Sequence, residues 1–197
     1  MARLGVNLEP VGFLRGYGKM MVPDPVTAAA FAETGGCDGI VCPLREDLSV
    51  LTERDARLLK ETVKTHFNIR ISPTEKMVAL ALSIMPDMVT LAAMKAGMHA
   101  GGLDVQDASI AKQVETLRNE AIVVSLMVEP NIHQVKAAAK IGADYVELCM
   151  NRYADAEDMS ERMDFLEGVR SIALAASKIG LGVAAGQGLN YQTASDI

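Results

Sequence analysis

Short apolar runs alternate with amphipathic stretches along this chain. Residues 4–8, 40–42, 68–73, 87–93, 121–128, 144–150 and 181–185 each carry such a run and predict seven strands. Ile40, Val41 and Cys42 follow one another without a polar break, as in a strand covered on both faces. Helices are predicted over 26–34, from Thr52 onward, and over 74–84, 106–120, 130–141 and 155–178. The second of these places Ala56, Leu58, Leu59 and Val63 among charges. Asp24 before Pro25, Thr52 three residues before Asp55, and Thr74 are N-cap signatures. Between the first strand and Pro23 the glycines predict a loop carrying Arg15 and Lys19. Residues 190–197 read as the start of one more helix.

The stretch 36–47 shows the repeating unit most plainly. Gly35 and Gly36 stop a helix, an apolar strand follows, and Arg45, Glu46 and Asp47 stand where that strand emerges. Residues 30–43, 137–150 and 175–188 each read as alanine-rich helix end, glycine, short turn, apolar strand. Three copies of one helix–glycine–strand unit imply alternating β and α elements with parallel strands. The expected fold is therefore α/β, a single TIM-type barrel domain over 1–197. Such barrels close with eight strands over ~250 residues. Seven strands in 197 residues lead to the expectation that the eighth βα unit is missing.

Composition narrows the partners. The net charge is −6 and aromatics make up 4% of the chain, with no tryptophan, which argues against a nucleic-acid surface. The apolar stretch from Met77 to Met85 is too short to span a bilayer. Cys37, Cys42 and Cys149 form no paired motif and read as buried free thiols of a cytoplasmic protein. The pattern points to no metal and no cofactor. Twelve methionines read as core filler.

Several strings then fall in one order: Gly5-Val6-Asn7, Leu14-Arg15, Pro23-Asp24-Pro25-Val26, Asp38-Gly39-Ile40, Leu44-Arg45-Glu46-Asp47, Gly101-Gly102-Leu103-Asp104-Val105, Tyr153-Ala154-Asp155 and Gly186-Gln187-Gly188-Leu189-Asn190-Tyr191. The ordered set resembles the pyridoxine 5'-phosphate synthase family over essentially the whole chain. The resemblance implies a barrel that condenses 1-deoxy-D-xylulose 5-phosphate with 3-amino-2-oxopropyl phosphate. It also implies homo-oligomers and a last strand and helix beyond Ile197.

The sequence departs from the family at the groups that move protons. Glu9-Pro10 replaces Asp-His, and Pro43 stands where a histidine precedes Leu-Arg-Glu-Asp. Arg70 takes the place of a catalytic glutamate, Gln187 that of a histidine between two glycines, and Cys149 that of the histidine after Glu on the sixth strand. Proline, arginine and glutamine do not exchange protons near pH 7. His66, His99 and His133 read as solvated or structural. Glu9, Glu129, Glu147 and Cys149 remain as titratable groups near strand ends.

The binding side is retained. Asn7 and Arg45 match family ligand-contacting positions, Arg15 is kept, and Gly188 matches a backbone donor to phosphate. Glu9 and Arg70 complete the candidate ligand-binding set. Arg70 either binds an anion or pairs internally with Glu147 or Glu9. The expectation is a pseudoenzyme: a phosphate-ligand-binding or assembly subunit, homo-oligomeric or covered by another protein at its open edge. The alternative is an active enzyme of this type, or one of altered chemistry on a related phosphorylated substrate.

Overall fold

The computed structural model describes residues 2–18, 22–94 and 101–197. Its elements run β1 (Gly5–Asn7), α1 (Glu9–Gly18), α2 (Pro25–Thr34), β2 (Gly39–Pro43), α3 (Glu53–Thr62), β3 (His66–Ile71), α4 (Glu75–Ile84) and β4 (Met88–Leu91). There follow α5 (Ala108–Asn119), β5 (Val123–Val128), α6 (Ile132–Lys140), β6 (Tyr145–Cys149), α7 (Asn151–Asp155), α8 (Met159–Lys178) and β7 (Gly182–Gly186). The seven strands are all parallel and pair in chain order, so β1 and β7 are the two edges of the sheet among the described residues.

The sheet is curled. Arg70 on β3 bonds Glu147 on β6. In a flat sheet those backbones would stand about 14 Å apart, beyond the reach of a direct contact. Alternation along each strand sorts side chains to two sides. Ile40, Cys42, Ile69, Ile71, Val89, Leu91, Val124, Leu126, Val146 and Leu148 belong to the main core under the helices. The residues between them face the barrel interior. Ala92, Met127 and Cys149 form a small apolar layer there. The chain is thus an α/β TIM-type fold, with seven strands among the described residues.

The repeated unit is confirmed in backbone detail. Gly36, Gly142 and Gly180 turn out of their helices at φ 92°, 85° and 90°, the left-handed region that glycine enters without strain. A second device recurs beside it. Asp38, Asp87 and Asp144 stand just before β2, β4 and β6. Their carboxylates accept the backbone N–H of Leu4, Phe67 and Val124 at 2.8–2.9 Å. Each carboxylate stitches the start of one strand to the start of its neighbour.

Four segments differ from the sequence expectation. The predicted loop after β1 is largely the helix α1. Its three glycines mask it in the sequence, but Gly12 lies so close to residues 50–51 that a Cβ would come within 2.8 Å of the Val50 carbonyl. His66 opens β3 rather than closing a helix. The helix expected over 155–178 starts at Met159, where Asp158 caps α8 by accepting from the Glu161 N–H, and the short α7 precedes it. Residues 190–197 hold a single 3-10 turn (Ala194–Asp196) and no full helix. Asn190 accepts from the Gln192 and Thr193 N–H groups there, and the Tyr153 hydroxyl donates to Asp196 at 2.9 Å. Among the described residues no helix is long and apolar enough to cross a membrane.

Candidate active site

The chain after each strand gathers at the carboxyl end of the curled sheet, where barrel enzymes place their chemistry. Two ion pairs dominate that end. In the first, both Nε and Nη2 of Arg45 donate to Glu9 Oε1, at 3.1 and 2.9 Å. Arg45 follows β2, Glu9 opens α1, and both are buried. The Phe13 ring lies 5.5 Å from the centre of the Arg45 guanidinium, a cation–π contact that fixes its plane. Asn7, the last residue of β1, accepts the Glu9 N–H at 2.8 Å and so sets the entry to α1.

The second pair crosses the interior. Arg70 Nη2 donates to Glu147 Oε1 at 2.5 Å, and Nη1 donates to Gln187 Oε1 at 2.9 Å. The Arg70 and Glu147 side chains are 5% and 8% exposed, so this is a buried pair and not a solvated surface one. Gly186 makes room for it: a Cβ there would sit 2.1 Å from Glu147 Oε1. Pro43 lies beside Arg70 in the ladder between β2 and β3. Gln187 holds φ at 74°, strained for a residue with a side chain, and Gly188 follows at 75°. A Cβ on Gly188 would meet Ala154 at 2.7 Å, so the loop after β7 rests on α7.

Cys149 shares the interior. Burial, with Glu129 and Glu147 nearby, pushes its thiol up to about 11. The thiol is protonated at neutral pH and is a poor nucleophile. Cys42, on the opposite side of its strand, is pushed up further by burial.

The structure brings Arg70, Gln187 and Pro43 together and, separately, Arg45, Glu9 and Asn7. Arg15 stands apart. Its guanidinium grips Asp55 with two bonds of 2.9 and 2.6 Å and donates to the Val50 carbonyl at 3.1 Å. His66 is exposed at the start of β3, and His133 lies in the first turn of α6. His99, Gly97 and Lys19 lie outside the described residues. Sequence reasoning weighed Glu147 as a titratable group near a strand end and as a partner for Arg70, quoted Gly186 only as part of the loop after the seventh strand, and missed Asn68, Thr90 and Ser125. Asn68 Nδ2 donates to the Thr90 hydroxyl at 2.9 Å below Arg70, and Ser125 is buried beside Thr90. For Asn68, Thr90 and Ser125 the signal was present: each is a polar residue inside a strand rich in apolar residues.

A family model described as "Pyridoxal phosphate biosynthesis protein PdxJ" matches residues 4–197. The chain belongs to the pyridoxine 5'-phosphate synthase family. It is 47% identical over 195 residues to the pyridoxine 5'-phosphate synthase of Geobacter metallireducens, spanning 97% of this chain and 82% of that protein. The synthase of Trichormus variabilis is 43% identical over the same shares. Among solved structures, thiamine phosphate pyrophosphorylase from Pyrococcus furiosus superposes with a TM-score of 0.60 at 19% identity, over 98% of this chain and 78% of that one. That likeness concerns the fold alone. Among the described residues the chain carries the buried carboxylate Glu147 in this scaffold. At the strand ends it carries the proline, arginine and glutamine described above.

Proposed function

We propose that this family member has given up the condensation and serves as a non-catalytic subunit, binding a phosphorylated small molecule at the barrel mouth or joining an assembly. One observation carries the reading: the Arg70 guanidinium is bonded to both Glu147 and Gln187 at the position that the resemblance gives to a catalytic glutamate. General acid–base catalysis needs groups that exchange protons near the working pH. Arginine stays charged, glutamine has no such proton, and the Cys149 thiol is held protonated. Of the candidate ligand contacts, Arg15 is engaged by Asp55 and Arg70 by Glu147 and Gln187; Asn7, Glu9, Arg45 and Gly188 are the ligand contacts of this reading, and an arginine fork suits a phosphate oxygen pair.

The test is direct. Incubation of the purified chain with 1-deoxy-D-xylulose 5-phosphate and 3-amino-2-oxopropyl phosphate is expected to give no pyridoxine 5'-phosphate above the uncatalysed background. Product formed with turnover overturns the proposal. A second reading, an active synthase or an enzyme of altered chemistry on a related phosphorylated substrate, draws on the 47% identity to a protein named for that activity and on the buried carboxylate Glu147. The same assay decides between them.

The proposal includes a partner, another copy or a different protein, against the open edges β1 and β7. Bare strand edges invite pairing. It also places the protein in a reducing cytoplasm, on the ground that Cys37, Cys42 and Cys149 are all buried and unpaired.

A further inference from the structure

The buried charges Arg70 and Glu147 inside this barrel are paired with each other. Glu147 sits among Gly186, the Cys149 layer and the strands beside it, with 6% of its surface exposed. An ionised carboxylate so placed demands a cation, because burying it alone is costly. Arg70 meets that demand. It reaches across from β3, puts one terminal nitrogen on Glu147, and puts the other on the Gln187 side-chain oxygen. Its Nε is buried with no hydrogen-bond partner among the described residues, so the two terminal nitrogens alone hold it. Asn68 and Thr90 bond each other below, and Ala92, Met127 and Cys149 are almost fully buried nearby.

We propose that Arg70 is an internal plug. Its guanidinium occupies the place at Glu147 and Gln187 that a small cationic group would otherwise take. The interior is thereby closed to small molecules, and any ligand of this chain is confined to the mouth around Arg45. The chemical class that competes with the plug is a small guanidinium or ammonium cation. This goes beyond the loss of condensation, since it states what now fills the position. It is read by melting and not by turnover, so the two proposals fail separately.

The experiment compares the full chain with Arg70→Ala and with the double variant Arg70→Ala, Glu147→Gln. Removing one partner of a buried pair strands the other, so Arg70→Ala is expected to melt roughly 10 °C lower. Low-millimolar methylguanidinium is expected to restore several degrees in a saturable way. It should leave the unsubstituted chain and the double variant unmoved, since neither presents an unpaired carboxylate. Arg70→Ala that melts like the parent, or that folds and ignores methylguanidinium, overturns the plug. Should Arg70→Ala not fold, hydrogen exchange on the unsubstituted chain decides. The β3 and β6 amides beside Arg70 and Glu147, both in strands paired on two sides, are expected to exchange only through global unfolding. Rapid exchange there by local opening refutes a closed interior.

Discussion

Glu147 and Gly186 show how tightly single residues constrain each other here. The carboxylate that pairs with Arg70 lies where a methyl group on residue 186 would need to be, with 2.1 Å between them. Glu147 cannot swing aside without leaving Arg70, and Arg70 would then be a buried cation with only Gln187 as partner. Gly186→Ala is therefore expected to destabilise the chain by roughly 1–3 kcal/mol, as an overpacked core does. Urea denaturation measures it, and an unchanged midpoint would show that Glu147 relaxes freely. The sequence exposed half of this arrangement. A glutamate inside the apolar run Tyr145-Val146-Glu147-Leu148-Cys149 announces a polar interior position. Its partner lies 77 residues away; placement at strand ends offered Arg70 either Glu147 or Glu9, or an anion, and only the fold chose Glu147.

At the scale of elements, caps and turns carry the architecture. Thr52 and Asp55 form a reciprocal capping box at the start of α3, and Asp55 also receives both prongs of Arg15 from α1. One carboxylate thus starts a helix and fastens its neighbour. Burial alone would raise the Asp55 carboxyl. The Arg15 guanidinium and the Thr52 donors outweigh it and hold the group below the ordinary carboxylate value. A depressed native pKa means that the ionised form contributes stability. That contribution is complete above the unfolded value of about 4 and is lost as pH falls through the lower native one. Asp55→Ala is expected to cost roughly 3 kcal/mol at neutral pH, from a lost cap and charged hydrogen bonds. The gap to the parent should close in acid; thermal melts from pH 7 to pH 2 check both parts, and a gap independent of pH contradicts the charge argument. The capping box of α3 was legible from Thr52 and Asp55. Helix α1 was not, because its glycines speak against a helix, and the approach of α1 to Val50 explains Gly12 alone of them.

For the whole molecule, the curl of the sheet decides what the strand ends become. Parallel strands ordinarily lie covered on both faces with paired neighbours. Here β1 and β7 flank the sheet, and β7 is only half-buried, with Ala184 exposed. The proposed partner at those edges predicts an assembly larger than one chain at micromolar concentration. Light scattering reads it, and a folded, monodisperse monomer counts against it. The amino-acid order by itself determined the alternation of strands and helices, their parallel sense and the glycine turns at 36, 142 and 180. These depend on residues within a few positions of one another, where steric preference and periodicity act directly. Which side chains meet was decided only by tertiary structure. Arg70 faces Glu147 and Gln187, and Arg15 faces Asp55, because the curl and the packing of α1 bring distant strand ends within bonding distance. Charge and hydrogen bonding then select among whatever the backbone has made adjacent.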